Sequence, residues 1–402
     1  PDAKRTIDAD GRLLTPGLID VHQHSGNVFA GPDATDSAEP DLSMDPDSIT
    51  AYRREHARAT LPYGITVTRE PGGNDDYLPL MTAWMDPVPW TPDFYPSGGA
   101  LISPPDDGDD VYAGHTVVED SADAAQTVRE YHDAGIQHLK LYWKLDLPEF
   151  QSALQEAKRL GMVPTGHIEY GDVSIRTALD LGLRHFEHAH TLASNALSPT
   201  KTSQAWQRAS KILGEDSGAV FHMGVMEMFN ELGRGNARMT TLIDALADAE
   251  GTVTSTIHVF AHPLGLTHFE RATTDEFSDT SGWTDEQMAR ARRGYRVLES
   301  YVKRLHESGV TLALGTDVPQ PGRAALSEML LLHRAGISMQ ETLRIATLNS
   351  ARAIGLEDTY GSVAPGKRAH LVLFDENPLE DPNALLSDMT VIKDGALYAR
   401  RE

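Results

Sequence analysis

Residues 134–142 read AGIQHLKLY, a glycine followed by a run of strand length, directly behind the amphipathic stretch ADAAQTVREYHDA at 122–134. The glycine stands where a helix would end in the left-handed conformation, so the order is helix, stop, strand. The same unit recurs as YGITVTRE at 63–70, LGMVPTGH at 160–167, LGLRHFEH at 181–188, EGTVTSTIHV at 250–259 and SGVTLALGTD at 308–317. A repeated helix-then-strand order builds a parallel sheet. With GLIDVHQH at 17–24 as the first strand and DFYPSGGALI at 93–102 as the third, the strands number eight. Eight strands with intervening helices predict an α/β fold, a closed (β/α)8 TIM-type barrel. An open doubly wound sheet is the alternative, but no Gly-x-Gly-x-x-Gly turn follows an early strand. Behind the eighth strand, SMQETLRIATLNSARAIG at 338–355 reads as a further helix, with a Ser338–Glu341 capping box and a Gly355 stop.

The two ends read differently. TIDADGRLLTPG at 6–17 is strand, Asp-Gly turn, strand, and GSVAPGKRAHLVLFDENP at 361–378 with DMTVIKDGALYAR at 388–400 adds strand pairs with Pro-Gly and Asp-Gly turns. Together they predict a small β-sandwich drawn from both termini, residues 1–16 and 358–402, around a barrel at 17–357. The N-terminal share is short for a sandwich, which predicts further residues ahead of residue 1.

Length suits this plan, because a chain of 402 residues holds one such barrel and an appendage. No run approaches the roughly 18–20 apolar residues of a membrane span, and no signal segment opens the chain. The expectation is a soluble protein, with the compartment open between cytoplasm and a secreted or periplasmic site reached through a removed signal. With no cysteine, disulfides and thiolate metal sites are excluded, leaving His, Asp, Glu or a modified Lys as metal ligands. A net charge of −24 argues against nucleic acid or an anionic membrane as partner, while a homo-oligomer stays open. The 59 acidic residues face 9 lysines and 26 arginines, the balance of a strongly hydrated, high-salt surface. The thermal midpoint is therefore expected to rise from low to molar salt as self-repulsion is screened, and a flat or falling series refutes this reading.

In such a barrel the chemistry gathers at the C-terminal ends of the strands. His22 and His24 in TPGLIDVHQH share a strand face roughly 6–7 Å apart along it, so both can reach one small object. Taken alone, a His-x-His pair reads first as a partly buried strand with two hydrogen-bonded histidines. The companions decide: Lys140 lies in strand four, His167 ends strand five, His188 ends strand six and Asp317 ends strand eight. Five strands delivering ligand-type residues at one end are hard to explain as packing.

The chain resembles the amidohydrolase superfamily of metal-dependent hydrolases, in particular its imidazolonepropionase-like and prolidase-like branch. The resemblance runs from PGLIDVHQH through HLKLYWK, GHIE, FEHAH and LGTD to ATLNSARAIGLEDTYGSVAPGKRAHLVLFD. It implies two divalent ions, zinc by default with manganese, cobalt or iron as alternatives. His22, His24 and Asp317 would hold one ion and His167 and His188 the other, with a carbamate on Lys140 between them. Lys144 is a rival bridge, set beyond the regular strand. The implied reaction is hydrolysis of a C–N amide bond in a dipeptide, an N-acyl amino acid or a cyclic amide. A hydroxide shared by the metals would attack, and Asp317 would act as general base and then general acid.

His115, in the loop after strand three, with Tyr142, His190 and His262, are candidates for substrate or oxyanion contacts. The single-metal deaminases of the superfamily resemble a variant with His-x-x-Glu on strand five, whereas this chain has HIE, leaving Glu169 out of register. Deamination and ester hydrolysis rank lower on that ground. A non-catalytic scaffold would be expected to have lost ligands, and here the set is complete. Specificity is expected in the loops 25–46, 103–119, 191–236 and 260–284.

Overall fold

The computed structural model describes residues 6–24, 46–105, 111, 114–214, 217–267, 279–318 and 321–399; loop 25–45 and the rest of the sequence lie outside the described residues. Fourteen strands occur among them. In chain order they are β1 (Leu14–Pro16), β2 (Leu18–Asp20), β3 (Ile65–Glu70), β4 (Asp93–Pro96), β5 (Ala100–Ile102), β6 (His115–Val117) and β7 (His138–Tyr142). There follow β8 (Val163–His167), β9 (His185–Phe186), β10 (Thr252–Thr254), β11 (Thr311–Ala313), β12 (His370–Phe374), β13 (Met389–Lys393) and β14 (Ala396–Ala399).

The fold is α/β with a mostly parallel centre. β2, β3 and β4 pair in parallel, and a seven-stranded sheet runs β11-β10-β9-β8-β7-β5-β6. The two sheets meet where the chain leaves β11: Val21 N donates to Leu314 O at 2.9 Å, and Thr316 N to His22 O at 3.0 Å. The expected third strand is split into β4 and β5 around Gly98 and Gly99. A Cβ on Gly99 would fall 1.9 Å from Thr116 Oγ1, so only glycine lets the chain cross there.

Local signals explain the helices that return the chain to the sheet. Asp120 caps helix Ser121–Asp133 by accepting from Ala122 N and Asp123 N, and Gly161 ends helix Leu147–Leu160 at φ 72°. At 250–259 the left-handed residue is Glu250 (φ 55°) rather than the glycine behind it. Along β7, Leu139 and Leu141 are fully buried in the main core, while strand alternation sends Lys140 and Tyr142 to the opposite face. The stretch 338–355 breaks into helix Met339–Arg344, a π-helical turn Ile345–Asn349 and helix Ser350–Ala353. Ser338 caps it through Glu341 N. Ser350 Oγ accepts Leu314 N at 3.0 Å, capping the chain just beyond β11.

Two expectations are corrected. The segment 191–236 is no loop: it carries helices Leu192–Ala196, Pro199–Leu213 and Val220–Leu232. Its apolar FHMGVMEMF run buries Met223, Met226, Met228 and Phe229, and so belongs to the core. The chain ends form one four-stranded antiparallel sheet, β1-β12-β13-β14, and no second facing layer occurs among the described residues. Among the described residues only β1 represents the N-terminal share.

That terminal sheet is tied to the parallel sheet by buried charge. Lys393 Nζ lies 2.8 Å from Asp93 Oδ1, Arg368 Nη1 3.0 Å from Asp93 Oδ2, and Tyr360 donates to the same oxygen at 2.6 Å. Asp93, His370 and Asp394 have the donor types of a metal site, but the Lys393 and Arg368 cations already neutralise these carboxylates. Lys393 is fully buried and Asp93 is 3 % exposed, and Asp93→Ala leaves Lys393 with Asp394, at 3.2 Å, as its remaining carboxylate. A loss of stability below the about 3–5 kcal/mol of a fully unpaired buried charge is expected, read as a lowered thermal midpoint.

Candidate metal centre

The polar residues collect where the parallel strands end. Beyond β2 and β11 the backbone bonds from Thr316 N and Asp317 N to His22 O bring the Asp317 carboxylate against the His-x-His pair. Gly315 permits that approach, since a Cβ there would meet Thr254 Cγ2 at 2.4 Å and His22 Cβ at 2.7 Å. Asp317 is left-handed (φ 54°), as are His188 (φ 61°) and Thr256 (φ 43°) at the ends of β9 and β10. Non-glycine residues pay for that conformation, and its concentration at three neighbouring strand ends marks a built site.

Each histidine of the pair is fixed from behind. His22 Nδ1 lies 2.7 Å from Glu187 Oε2, and His24 Nδ1 lies 2.5 Å from Glu70 Oε1. Glu187 is fully buried and also accepts from Thr165 Oγ1 at 2.6 Å and from the Arg69 guanidinium. A carboxylate on Nδ1 holds the proton there and leaves the Nε2 lone pair for a metal. Those Nε2 atoms stand 3.5 Å (His22) and 3.4 Å (His24) from Asp317 Oδ1. Metal–ligand bonds of 2.0–2.1 Å in a tetrahedron separate neighbouring ligands by about 3.3–3.4 Å. The spacing fits a cation shared by the three side chains. Electrostatics agree: burial pushes the His24 imidazolium down, but Glu70 and Asp317 outweigh it and raise His24 to about 9. A field that holds a proton on this ring also draws a metal cation. Asp317 is pushed up by burial, yet His22, His24 and Lys140 pull it down to about 2.

His188 stands between this group and the next. Its ring centroid is 4.3 Å from that of His22 and 4.7 Å from that of His167. Its Nδ1 lies 3.1 Å from Thr256 Oγ1 and 3.6 Å from Asp317 Oδ2. Lys140 is 2 % exposed, and its charge acts on His24, His167, His188 and Asp317. Burial pushes its ammonium down to about 8, against the pull of Glu187 and Asp317. Lys144 is half-buried beyond β7, its Nζ 5.4 Å from the centre of the Trp143 ring.

A second group of ligand type is His167, Glu169 and His190. Glu169 Oε1 lies 3.5 Å from His167 Nε2 and 3.3 Å from His190 Nε2. The sequence spacing had set Glu169 aside and placed His190 among substrate contacts; the fold brings both to His167. His115 begins β6 rather than sitting in a loop, and its ring packs on Tyr142 at 4.7 Å, as does that of His167. His262 packs instead on His258, with ring centroids 5.4 Å apart. Glu70, Glu187 and Arg69 were missed. The signal available was the acid before His188 in FEHAH and the one that ends VTRE.

With the geometry established, comparison with known proteins gives it a family. Residues 13–395 match the Amidohydrolase family. Imidazolonepropionase of Rhizorhabdus wittichii is 38% identical over 408 residues, covering 94% of this chain and 84% of that protein. A local match, 34% identical over 87 residues, relates 19% of the chain to 20% of the 5-methylthioadenosine/S-adenosylhomocysteine deaminase of Teredinibacter turnerae. Among solved structures, a Xaa-Pro dipeptidase superposes with a TM-score of 0.63 at 19% identity, covering 96% of this chain and 87% of that one. The strand ends, the family match and the near full-length relative agree: this chain belongs to the amidohydrolase family.

Proposed function

We propose that the chain is a metal-dependent hydrolase of C–N amide bonds in a small molecule, such as a dipeptide, an N-acyl amino acid or a cyclic amide. The carrying observation is the convergence of His22, His24 and Asp317 at tetrahedral spacing, each histidine backed by a carboxylate. On this reading the parallel strands at 17–357 close as an eight-stranded barrel, and the two ends form its appendage. His22, His24 and Asp317 would hold one divalent ion and His167 and His188 the other, with Lys140, as a carbamate, a further ligand between them. Imidazole and carboxylate donors suit zinc, manganese, cobalt or iron. Such ions polarise a carbonyl and acidify bound water.

The chain's own groups do the rest. Asp317, ionised throughout the neutral range, accepts a proton at its carboxylate as water oxygen bonds to the carbonyl carbon. It returns that proton to the leaving nitrogen when the C–N bond breaks. Glu187 and Glu70 keep the His22 and His24 rings turned to the centre. Tyr142, packed on His167, and His115, packed on Tyr142, would face a bound substrate. The acidic surface disfavours nucleic acid, and no helix among the described residues is long and apolar enough to cross a membrane.

Hydrolytic deamination is the second reading, favoured by the carboxylate of Glu169 beside His167. Metal-loaded protein is to be offered panels of dipeptides, N-acyl amino acids and cyclic amides, with aminated heterocycles and esters alongside. Amine or acid release from the amide panels is expected. Ammonia release from heterocycles alone, or turnover of esters alone, overturns the proposal.

A further inference from the structure

We propose that Glu169 and His190 complete, with His167, a three-ligand site for a divalent cation, so that the second ion is held by Glu169 and His190 as well and not by His167 and His188 alone. This deepens the two-metal reading above and rests on a separate set of observations.

The first observation is distance. A buried carboxylate that merely pairs with imidazolium donors closes to about 2.7–2.9 Å. Glu169 Oε1 instead stands 3.5 and 3.3 Å from the two Nε2 atoms. That is the edge of a tetrahedron around an ion with 2.0–2.1 Å bonds, about 3.3–3.4 Å, and matches the spacing in the His22–His24–Asp317 group.

The second observation is the unpartnered nitrogens. His190 is 6 % exposed, yet neither of its ring nitrogens makes a hydrogen bond, and neither does His167 Nε2. Buried imidazole nitrogens without partners are costly unless something arrives to bind them. The His190 ring packs on Phe260 at 4.8 Å, on His188 at 5.2 Å and on Phe221 at 6.2 Å between centroids, and the Glu169 carboxylate lies 3.3 Å from its Nε2.

Third, the arrangement is braced. The Asn195 side-chain amide lies 2.9 Å from Ile168 O, 3.0 Å from Glu169 O and 3.0 Å from Thr191 O, while its oxygen accepts Ile175 N at 2.8 Å. One side chain thus locks the turn carrying Glu169 to the turn carrying His190. Support of this kind is what holds a metal site in register before the ion binds. Two imidazoles and one carboxylate suit zinc, cobalt, manganese or iron(II), and leave positions open for water or substrate.

The test is cobalt(II) binding to metal-stripped full-length protein, followed by visible absorption and by metal content after gel filtration. His24→Ala, which damages the other group, should still retain about one cobalt per chain with a low-coordinate spectrum. Adding Glu169→Gln or His190→Phe should weaken that ion by more than about 100-fold, beyond the 10–100-fold that losing an outer supporting partner costs. Circular dichroism of the stripped variants shows that each is folded, and the two substitutions check one another. If cobalt in the His24→Ala background is unaffected by both, the inference is overturned while the amide-hydrolase reading stands. If the Glu169-dependent ion is present in a chain that cleaves none of the amide panels, the inference stands and that reading falls.

Discussion

Asp317→Asn is expected to lower turnover by about 10²–10⁴-fold, the range that a positioned acid–base group supplies, while the protein keeps much of its metal. The asparagine oxygen can still face a cation, and His22 and His24 keep their Nε2 atoms turned inward because Glu187 and Glu70 hold the opposite nitrogens. An amide side chain cannot take up a proton and return it to a leaving nitrogen. The loss should therefore fall on kcat, with KM little changed, as for an interaction made only in the transition state. Glu187 supplies the contrast. Glu187→Gln disturbs the support of His22, so its loss should track metal affinity and recover when metal is raised, whereas the Asp317→Asn loss should not. Full turnover in metal-loaded Asp317→Asn rules out the assigned proton transfer.

The strand ends that carry His167 and Asp317 were legible because each follows a periodic, locally determined unit: helix, stop, strand. Gly161 behaves as its position demands, and the parity of β7 sends Lys140 to the face opposite Leu139 and Leu141. The reading failed where local rules are overridden. On a regular strand Glu187 and His188 would point to opposite sides, but the left-handed turn at His188 brings both into the centre. Glu169 was judged against a spacing within its own segment, while what places it is the Asn195 link to the His190 turn. Glu70 and Glu187 support histidines 46 and 165 positions away, a relation that no window of sequence contains. The strand-to-helix unit predicts no extra layer at 191–236, so the helix at 199–213 is not legible there, whereas the FHMGVMEMF run at 221–229 reads as helix packed in the core, as it is. Helix 220–232 is buried against helix Asp285–Glu307, where a Cβ on Gly294 would stand 2.3 Å from Met226 O, and helix 199–213 packs on helix 220–232, where a Cβ on Gly224 would stand 2.2 Å from Trp206 Cε3.

Lys140→Ala should abolish most activity and restore part of it with added short carboxylic acids. Lys140 sits in the inward row of β7, paired in register with Thr165 of β8, which itself donates to Glu187. Burial lowers its ammonium to about 8, so a working fraction of amine is neutral near pH 7–8. That nitrogen can bond to the carbon of CO2 and lose a proton to water, leaving a carbamate whose single negative charge is shared by two oxygens. Such a group spans two cations where an ammonium would repel them. Alanine removes the oxygens and opens space in which acetate or propionate can lie, so rescue should follow carboxylate concentration and fail with amides of the same size. Lys140→Arg, permanently charged and unable to form the carbamate, should be as inactive as alanine and should not be rescued. Metal content should fall in Lys140→Ala without vanishing, because the histidine and carboxylate groups on either side keep their own donors. Mass spectrometry under non-denaturing conditions should find the parent heavier by one CO2, and that mass should disappear in Lys140→Ala. Retained activity in Lys140→Ala with loss in Lys144→Ala would move the bridge to the residue beyond the strand.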